Sequence, residues 1–186
     1  MLVKELKTSV GFLIGFVILL GVIYPWVLSG IGHLFFPRNA EGSLVKIGQT
    51  VVGSELIGQS FSDENYFHGR PSANQYNAQQ SGGSNMAIES TEYKALVEKR
   101  IASLQAENQT SLPVPSDLVE ASGSGLDPDI SLQAAFFQIN RIAKARHRMP
   151  AQLKKLVLDH EIIPALDIFG EPHVNVLELN LALQGK

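Results

Sequence analysis

From Val10 to Leu28 the chain is almost continuously apolar, and beyond it hydrophobic and polar positions mix in short local patterns. A helix needs ~20 residues to cross a ~30 Å hydrocarbon core, so the run predicts one transmembrane helix over residues 9–28. Tyr24 and Trp26 suit the aromatic belt at a membrane surface, and Pro25 is tolerated near the end of such a helix. Further along, Ser43–Ile47 and Thr50–Ile57 are short apolar runs bounded by glycine, a pattern that predicts strands. Between Asp63 and Glu89 the chain turns to Asn, Gln, Ser, Gly, Tyr and His without periodicity. That composition predicts a long ordered loop or a mobile insertion.

Three helices follow from spacing. Tyr93, Leu96, Val97, Ile101 and Leu104 recur at helical intervals behind Ser90, a suitable N-cap. Ser131 caps a second candidate, with Ala135, Ile139 and Ile142 on one side; Arg141, Lys144, Arg146 and Arg148 lie toward its C-terminal end, where the helix dipole favours cations. Pro150 opens a third, in which Leu153, Leu156, Val157 and His160 share a face. Val174–Leu183 alternates apolar with polar or small residues and predicts a half-buried strand. The order of elements describes an α+β domain tethered by a single N-terminal transmembrane helix. Its expected divisions are a short N-terminus at 1–8, the membrane helix at 9–28, a juxtamembrane segment at 29–37 and the domain at 38–186.

Charge sharpens this organisation. The 186 residues carry 15 Lys+Arg and 18 Asp+Glu, yet none lies between Lys7 and Arg38, a gap of 30 residues. A cleaved secretion signal is the competing reading, with Lys4 and Lys7 as its basic region and Val27-Leu-Ser29 as a tolerable cleavage site. An anchor fits better, because a signal's apolar region spans only ~7–15 residues. Lys4 and Lys7 precede the helix, whereas Arg38 and Lys46 behind it are offset by Glu41 and Glu55. The positive-inside bias therefore places the N-terminus in the cytoplasm and residues 38–186 outside it. A net charge of −3 gives no basic excess for nucleic acid. With no cysteine the chain can form neither disulfides nor thiolate metal sites, and it has no thiol nucleophile.

The candidate chemistry is sparse. Gly11 and Gly15 form a GxxxG, which lets a second helix approach closely. Gly53–Ser60 has the spacing of a phosphate-binding loop but Gln59 at the lysine position, so turn glycines are the better account. His160-Glu161 begins a zinc-protease motif that Pro164 breaks, and His33, His68, His147 and His173 have no ligand spacing. Asn108-Gln-Thr110 matches a glycosylation sequon, a tripeptide frequent by chance. Asp117, Asp127 and Asp129 suit turn and cap chemistry better than acid–base work. Arg70, within Phe67–Ala73, is placed to hold a carboxylate or a partner surface. Ser81-Gly-Gly-Ser84-Asn85 offers amides and hydroxyls for an anion, or for a tight turn. By residues alone, this is a membrane-tethered domain that works by holding partners, with an independent membrane-anchored binding domain as the alternative.

A succession of short blocks adds a family. Tyr24-Pro25, Phe36-Pro37, Gly42–Val45, Val52–Gln59, Tyr66–Ala73, Ser81–Asn85, Ser122–Pro128, Gln138–Arg146 and Val174–Leu183 together resemble the C subunits of bacterial Kdp potassium-transporting ATPases. The resemblance implies a non-catalytic, single-span subunit of a high-affinity potassium pump in the cytoplasmic membrane. Its partners there are a channel-like A subunit, an ATP-hydrolysing B subunit and a small F subunit. It also implies a catalytic-chaperone role that raises the B subunit's affinity for ATP, with potassium as the transported ion and no covalent cofactor. Arg148-Met-Pro-Ala-Gln152 is similar to the family's proposed Leu-Ser-x-x-Gln nucleotide contact, keeping Gln152 but not the serine. Tyr24, Pro25, Arg70, Ser84 and Asn85 are the candidate partner contacts.

Overall fold

A computed structural model describes residues 2–164 and 170–185. These fall into two units, one up to Leu44 and one from Val45 onward. The first is a continuous helical rod: α1 (Leu2–Ile18), one π turn (Leu19–Ile23) and α2 (Tyr24–Phe35), followed by the short α3 (Pro37–Ala40). The rod passes the apolar run at both ends, through the charged Lys4, Glu5 and Lys7 at its start and, at its far end, through the uncharged stretch in which Ile31, Leu34 and Phe35 prolong the pattern. It stops at Phe36, which precedes a proline and leaves the helical region with φ −137°. Val3–Phe35, 33 residues, is long and apolar enough to cross a membrane. Pro25 lies well inside this helix and not near its end, directly after the π turn.

The second unit is built from β2 (Thr50–Ser54), paired with β1 (Leu44–Ile47), then α4 (Thr91–Glu107), α5 (Ser116–Val119), β3 (Asp129–Ser131), α6 (Leu132–Arg146), α7 (Pro150–Asp159), β4 (His173–Asn175) and α8 (Val176–Leu183). Strands β3 and β4 are antiparallel, with Ile130 opposite Val174. Helices α6, α7 and α8 pack around this pair and bury Ala135, Ile142, Leu153, Val157, Leu179 and Leu183. Both expected serine caps form: Ser90 accepts from the Tyr93 N–H and Ser131 from the Ala134 N–H. Each such cap contributes about 1 kcal/mol. Pro150 opens α7 at the first helical position, where a missing N–H is harmless. Helix α4 has no fully buried residue, so its expected apolar face is only half covered.

The expected strand over Val174–Leu183 is overturned. Only His173–Asn175 is extended, and the rest is α8. The Asn175 carboxamide decides this, because its oxygen accepts from the Leu177 and Glu178 N–H groups and starts a helix. The same residues also satisfy helical spacing, with Val176, Leu179, Asn180 and Leu183 buried on one face.

Asp63–Glu89 contains no helix or strand, and it is an ordered loop held by side chains from elsewhere. Phe67 is 0% exposed, at the centre of the core. Its N–H donates to Asn180 Oδ1 at 2.8 Å and its carbonyl accepts from Asn180 Nδ2 at 2.9 Å. The His68 N–H donates to Gln138 Oε1 at 2.8 Å, while Gln138 Nε2 donates to the His68 carbonyl at 3.1 Å. Arg141 donates to the carbonyls of Glu64 and Tyr66, and Arg146 to that of Asn65. Arg141 and Arg146 thus grip this loop instead of merely complementing the helix dipole.

Removing a buried partner leaves its mate unsatisfied, at a cost of about 1–3 kcal/mol. Gln138→Ala and Asn180→Ala should each lower unfolding stability by about that much, read from urea melts of the full chain in detergent. Midpoints matching wild type would contradict the clamp. Burial, and then the nearby Arg141 charge, hold the His68 imidazole below its ordinary 6.5. The unfolded chain therefore takes up this proton first, and stability falls as pH drops below about 6.5 toward the folded value. His68→Gln should lose less stability than wild type between pH 7 and pH 5; an equal loss would remove His68 as the cause.

Candidate functional site

Arg70 leaves the clamped loop and enters a cleft of about 640 Å³ whose lining includes Asp117, Asp127, Asp129, Glu171 and His173. Arg70 Nη1 sits 3.1 Å from Asp127 Oδ2, with both side chains about 70% covered (28% and 29% exposed). Its Nε is buried without a hydrogen-bond partner. The Arg70 carbonyl accepts from the Tyr76 hydroxyl. Burial, with the Asp127 charge second, raises the Tyr76 phenol above its usual value and keeps it a neutral donor.

The three aspartates of the cleft have structural employment. Asp117 Oδ2 accepts from the Ser131 N–H at 2.7 Å. Asp127 Oδ1 accepts from the Asp129 N–H at 3.0 Å while its other oxygen pairs with Arg70. Asp129 Oδ1 accepts from Asn175 Nδ2 at 3.1 Å, and the His173 ring is 3.9 Å from its other oxygen. Burial raises the Asp129 pKa, with the Asp127 charge adding to it and His173 and Asn175 opposing it. Among the described residues no group of three or more metal-ligating side chains converges. The cleft is therefore a joint: Arg70 ties the loop to the β3 entrance, and Asn175 ties β4 to β3 and to the Glu55 carbonyl.

The other sites expected from sequence lie apart. Ser81–Gly83 docks on Ser122–Gly125, where the Gly82 N–H and the Ser81 hydroxyl both donate to the Ser124 carbonyl, at 2.8 and 3.0 Å. Its amide is thus used in a turn contact, while Ser84 and Asn85 stay exposed, Asn85 in the left-handed region at φ 52°. Gly125, at φ +68°, is required there because a Cβ would meet Asn74 Oδ1 and the Gly82 carbonyl at 2.7 Å. Gly58 is equally constrained: a Cβ would lie 2.4 Å from the Asp127 carbonyl. That close approach explains the glycine without any phosphate. Gln152 is exposed in the first turn of α7, its Oε1 accepting from the Met149 N–H at 3.4 Å. Asn108 is 4% exposed and bonded to Arg141 and the Leu104 carbonyl, which hides the sequon's acceptor.

On the helical rod, Gly11 and Gly15 share an apolar groove of about 430 Å³ with Thr8, Phe12, Phe16 and Leu19. A Cβ at either glycine would meet nothing within 4 Å, so the chain's own fold does not require them to be glycine. Tyr24 is exposed along the same rod. Sequence reasoning missed Gln138, Asn180 and Asn175, which do much of the positioning, and gave Arg141 and Arg146 only a role at the helix dipole. The available signal was a polar residue on an otherwise apolar face, as Gln138 is beside Ala135, Ile139 and Ile142.

Comparison with known proteins places this arrangement. Residues 6–185 match the family model described as KdpC, K+-transporting ATPase, c chain. The potassium-transporting ATPase KdpC subunit of Caldanaerobacter subterraneus subsp. tengcongensis is 44% identical over 183 residues, covering 97% of this chain and 94% of that protein. The protein of the same name from Escherichia coli O157:H7 is 45% identical over 184 residues, 97% of each. That from Ralstonia nicotianae is 46% identical over 182 residues, 96% of this chain and 89% of the relative. With both the apolar rod and the clamped domain inside the match, the chain belongs to the KdpC family, the c chains of K+-transporting ATPases.

Proposed function

We propose that this chain is the non-catalytic C subunit of an ATP-driven, high-affinity potassium uptake complex in the bacterial cytoplasmic membrane. The observation that carries the reading is the extent of the match, from residue 6 to residue 185, so that anchor and domain are inherited together. In this reading its partners are a channel-like A subunit, an ATP-hydrolysing B subunit and a small F subunit. The sequence has neither an Asp-Lys-Thr-Gly phosphorylation signature nor a Thr-Val-Gly-Tyr-Gly filter, which assigns hydrolysis and conduction to those partners. The lysines at the N-terminus support a cytoplasmic start, a single span and an extracytoplasmic domain.

The subunit acts in assembly and as a chaperone of catalysis. An extracytoplasmic Gln152 does not meet cytosolic ATP, and its carboxamide oxygen already serves the Met149 N–H. A higher ATP affinity in the B subunit is therefore an allosteric effect, carried by subunit contacts that differ between the pump's states. The Gly11–Gly15 groove, Tyr24 and Pro25 supply contacts in the membrane; Arg70, Ser84 and Asn85 supply them in the domain. Arg70 acts through the loop that its pairing with Asp127 holds in place.

The test is a pull-down of the tagged full chain from potassium-starved cells, with mass spectrometry and a potassium-stimulated ATPase assay on the eluate. Recovery of a P-type ATPase and a channel-like protein with that activity is the expected result. Recovery of the chain alone, stable and without such partners, would return the reading to an independent membrane-anchored binding domain. Gly11→Ile combined with Gly15→Ile fills the groove without disturbing the isolated chain, and should cut retention of the partners several-fold. Unchanged co-purification at normal expression would remove the groove from the interface.

A further inference from the structure

The hydrogen-bond register of the apolar rod changes at a π turn. In the π turn Leu19–Ile23 the Tyr24 N–H reaches the Leu19 carbonyl, five residues back, and the α-helix resumes from Tyr24. Residue 25 is the next donor in line, to Leu20 if the π register continues and to Gly21 in the α register. It is proline and has no N–H. Trp26 reaches Gly21 or Val22 in those registers, so the Leu20 carbonyl has no donor in either. Gly21, next to it, has nothing within 4 Å of where a Cβ would stand, which leaves the backbone open at this point.

The position makes the gap consequential. Any ~20-residue span placed within the uncharged stretch Thr8–Pro37 contains residues 18–27, so the bare carbonyl lies within the hydrocarbon. No water is available there to replace the donor, and an unsatisfied backbone group is strongly unfavourable. We propose that the Leu20–Gly21 backbone is a docking point for a transmembrane helix of a partner subunit, whose hydroxyl or carboxamide side chain donates to the Leu20 carbonyl. This rests on the reading of the chain as a membrane subunit. The Gly11–Gly15 groove ends at Leu19, the first residue of the π turn, and at ~100° per residue the Leu20–Gly21 backbone turns away from its face, so this is a second point of contact. A parallel second copy is a poor source of the donor. Residues 19–23 are Leu-Leu-Gly-Val-Ile, so a parallel copy in register presents no hydroxyl or carboxamide side chain at this level.

Pro25→Ala restores the N–H, and Gly21→Leu puts a bulky side chain beside the open backbone, where a Cβ meets nothing within 4 Å. An interhelical hydrogen bond of the usual size predicts that each variant of the full chain is retained by the wild-type membrane partners roughly threefold to tenfold less well in a detergent titration. A photo-crosslinking p-benzoylphenylalanine at position 20 should join the chain to a membrane helix of one partner, next to a Ser, Thr, Asn or Gln. Retention equal to wild type in both variants, or crosslinks only to lipid or to a second, differently tagged copy, would overturn the proposal while leaving the subunit reading intact. Failure of the wild-type chain to retain any membrane partner would overturn both.

Discussion

Five consecutive carbonyls, Glu64 to His68, are each held by a side chain from α6 or α8: Arg141 takes Glu64 and Tyr66, Arg146 takes Asn65, Asn180 takes Phe67 and Gln138 takes His68. A loop carrying a wholly buried phenylalanine must bring its backbone into the core, where unpaired polar groups are costly. Gln138 and Asn180 solve this by pairing with both the donor and the acceptor of one residue each, as a neighbouring strand would. The Arg141 guanidinium is 7% exposed and owes its charge balance to Glu107, Glu64 and Asp63 nearby. Arg146 lies over the Tyr66 ring, 5.0 Å from its centroid, and seals the outer edge. Arg70 follows this anchor two residues after His68 and pairs with Asp127 from outside the loop.

Helices α4, α6 and α7 were legible because their periodicity agrees with their Ser caps or with Pro150. The apolar anchor was legible from length and charge alone. Helix α8 was not, since Leu-Glu-Leu-Asn-Leu-Ala-Leu satisfies a period of two as well as it satisfies helical spacing. Only the capping contact of Asn175 with two N–H groups separates the alternatives, and it depends on β4 ending where it does. The loop was legible as polar but not as a core element. Gln138 and Asn180 are more than sixty residues from what they hold (70 and 113), a separation at which no local pattern operates.

The candidate site shows the same division. Arg70 and the turn aspartates were visible as residue types, and the structure brings them together in one cleft. Their use as a joint follows from pairing, which spacing does not encode. In the membrane rod, the GxxxG was visible, whereas the π turn before Pro25 depends on backbone register. The chain thus combines a domain whose loop is fastened by side chains of α6 and α8 with an apolar helical rod.

Hydrogen exchange at the Phe67 and His68 amides tests the central claim most directly, measured on the full chain in detergent. Donation to Asn180 and Gln138 predicts that both exchange only through global opening, as slowly as the interior amides of α6. Exchange at the rate of an unprotected loop would contradict the account, because the clamp would then not hold the segment on which the domain is arranged.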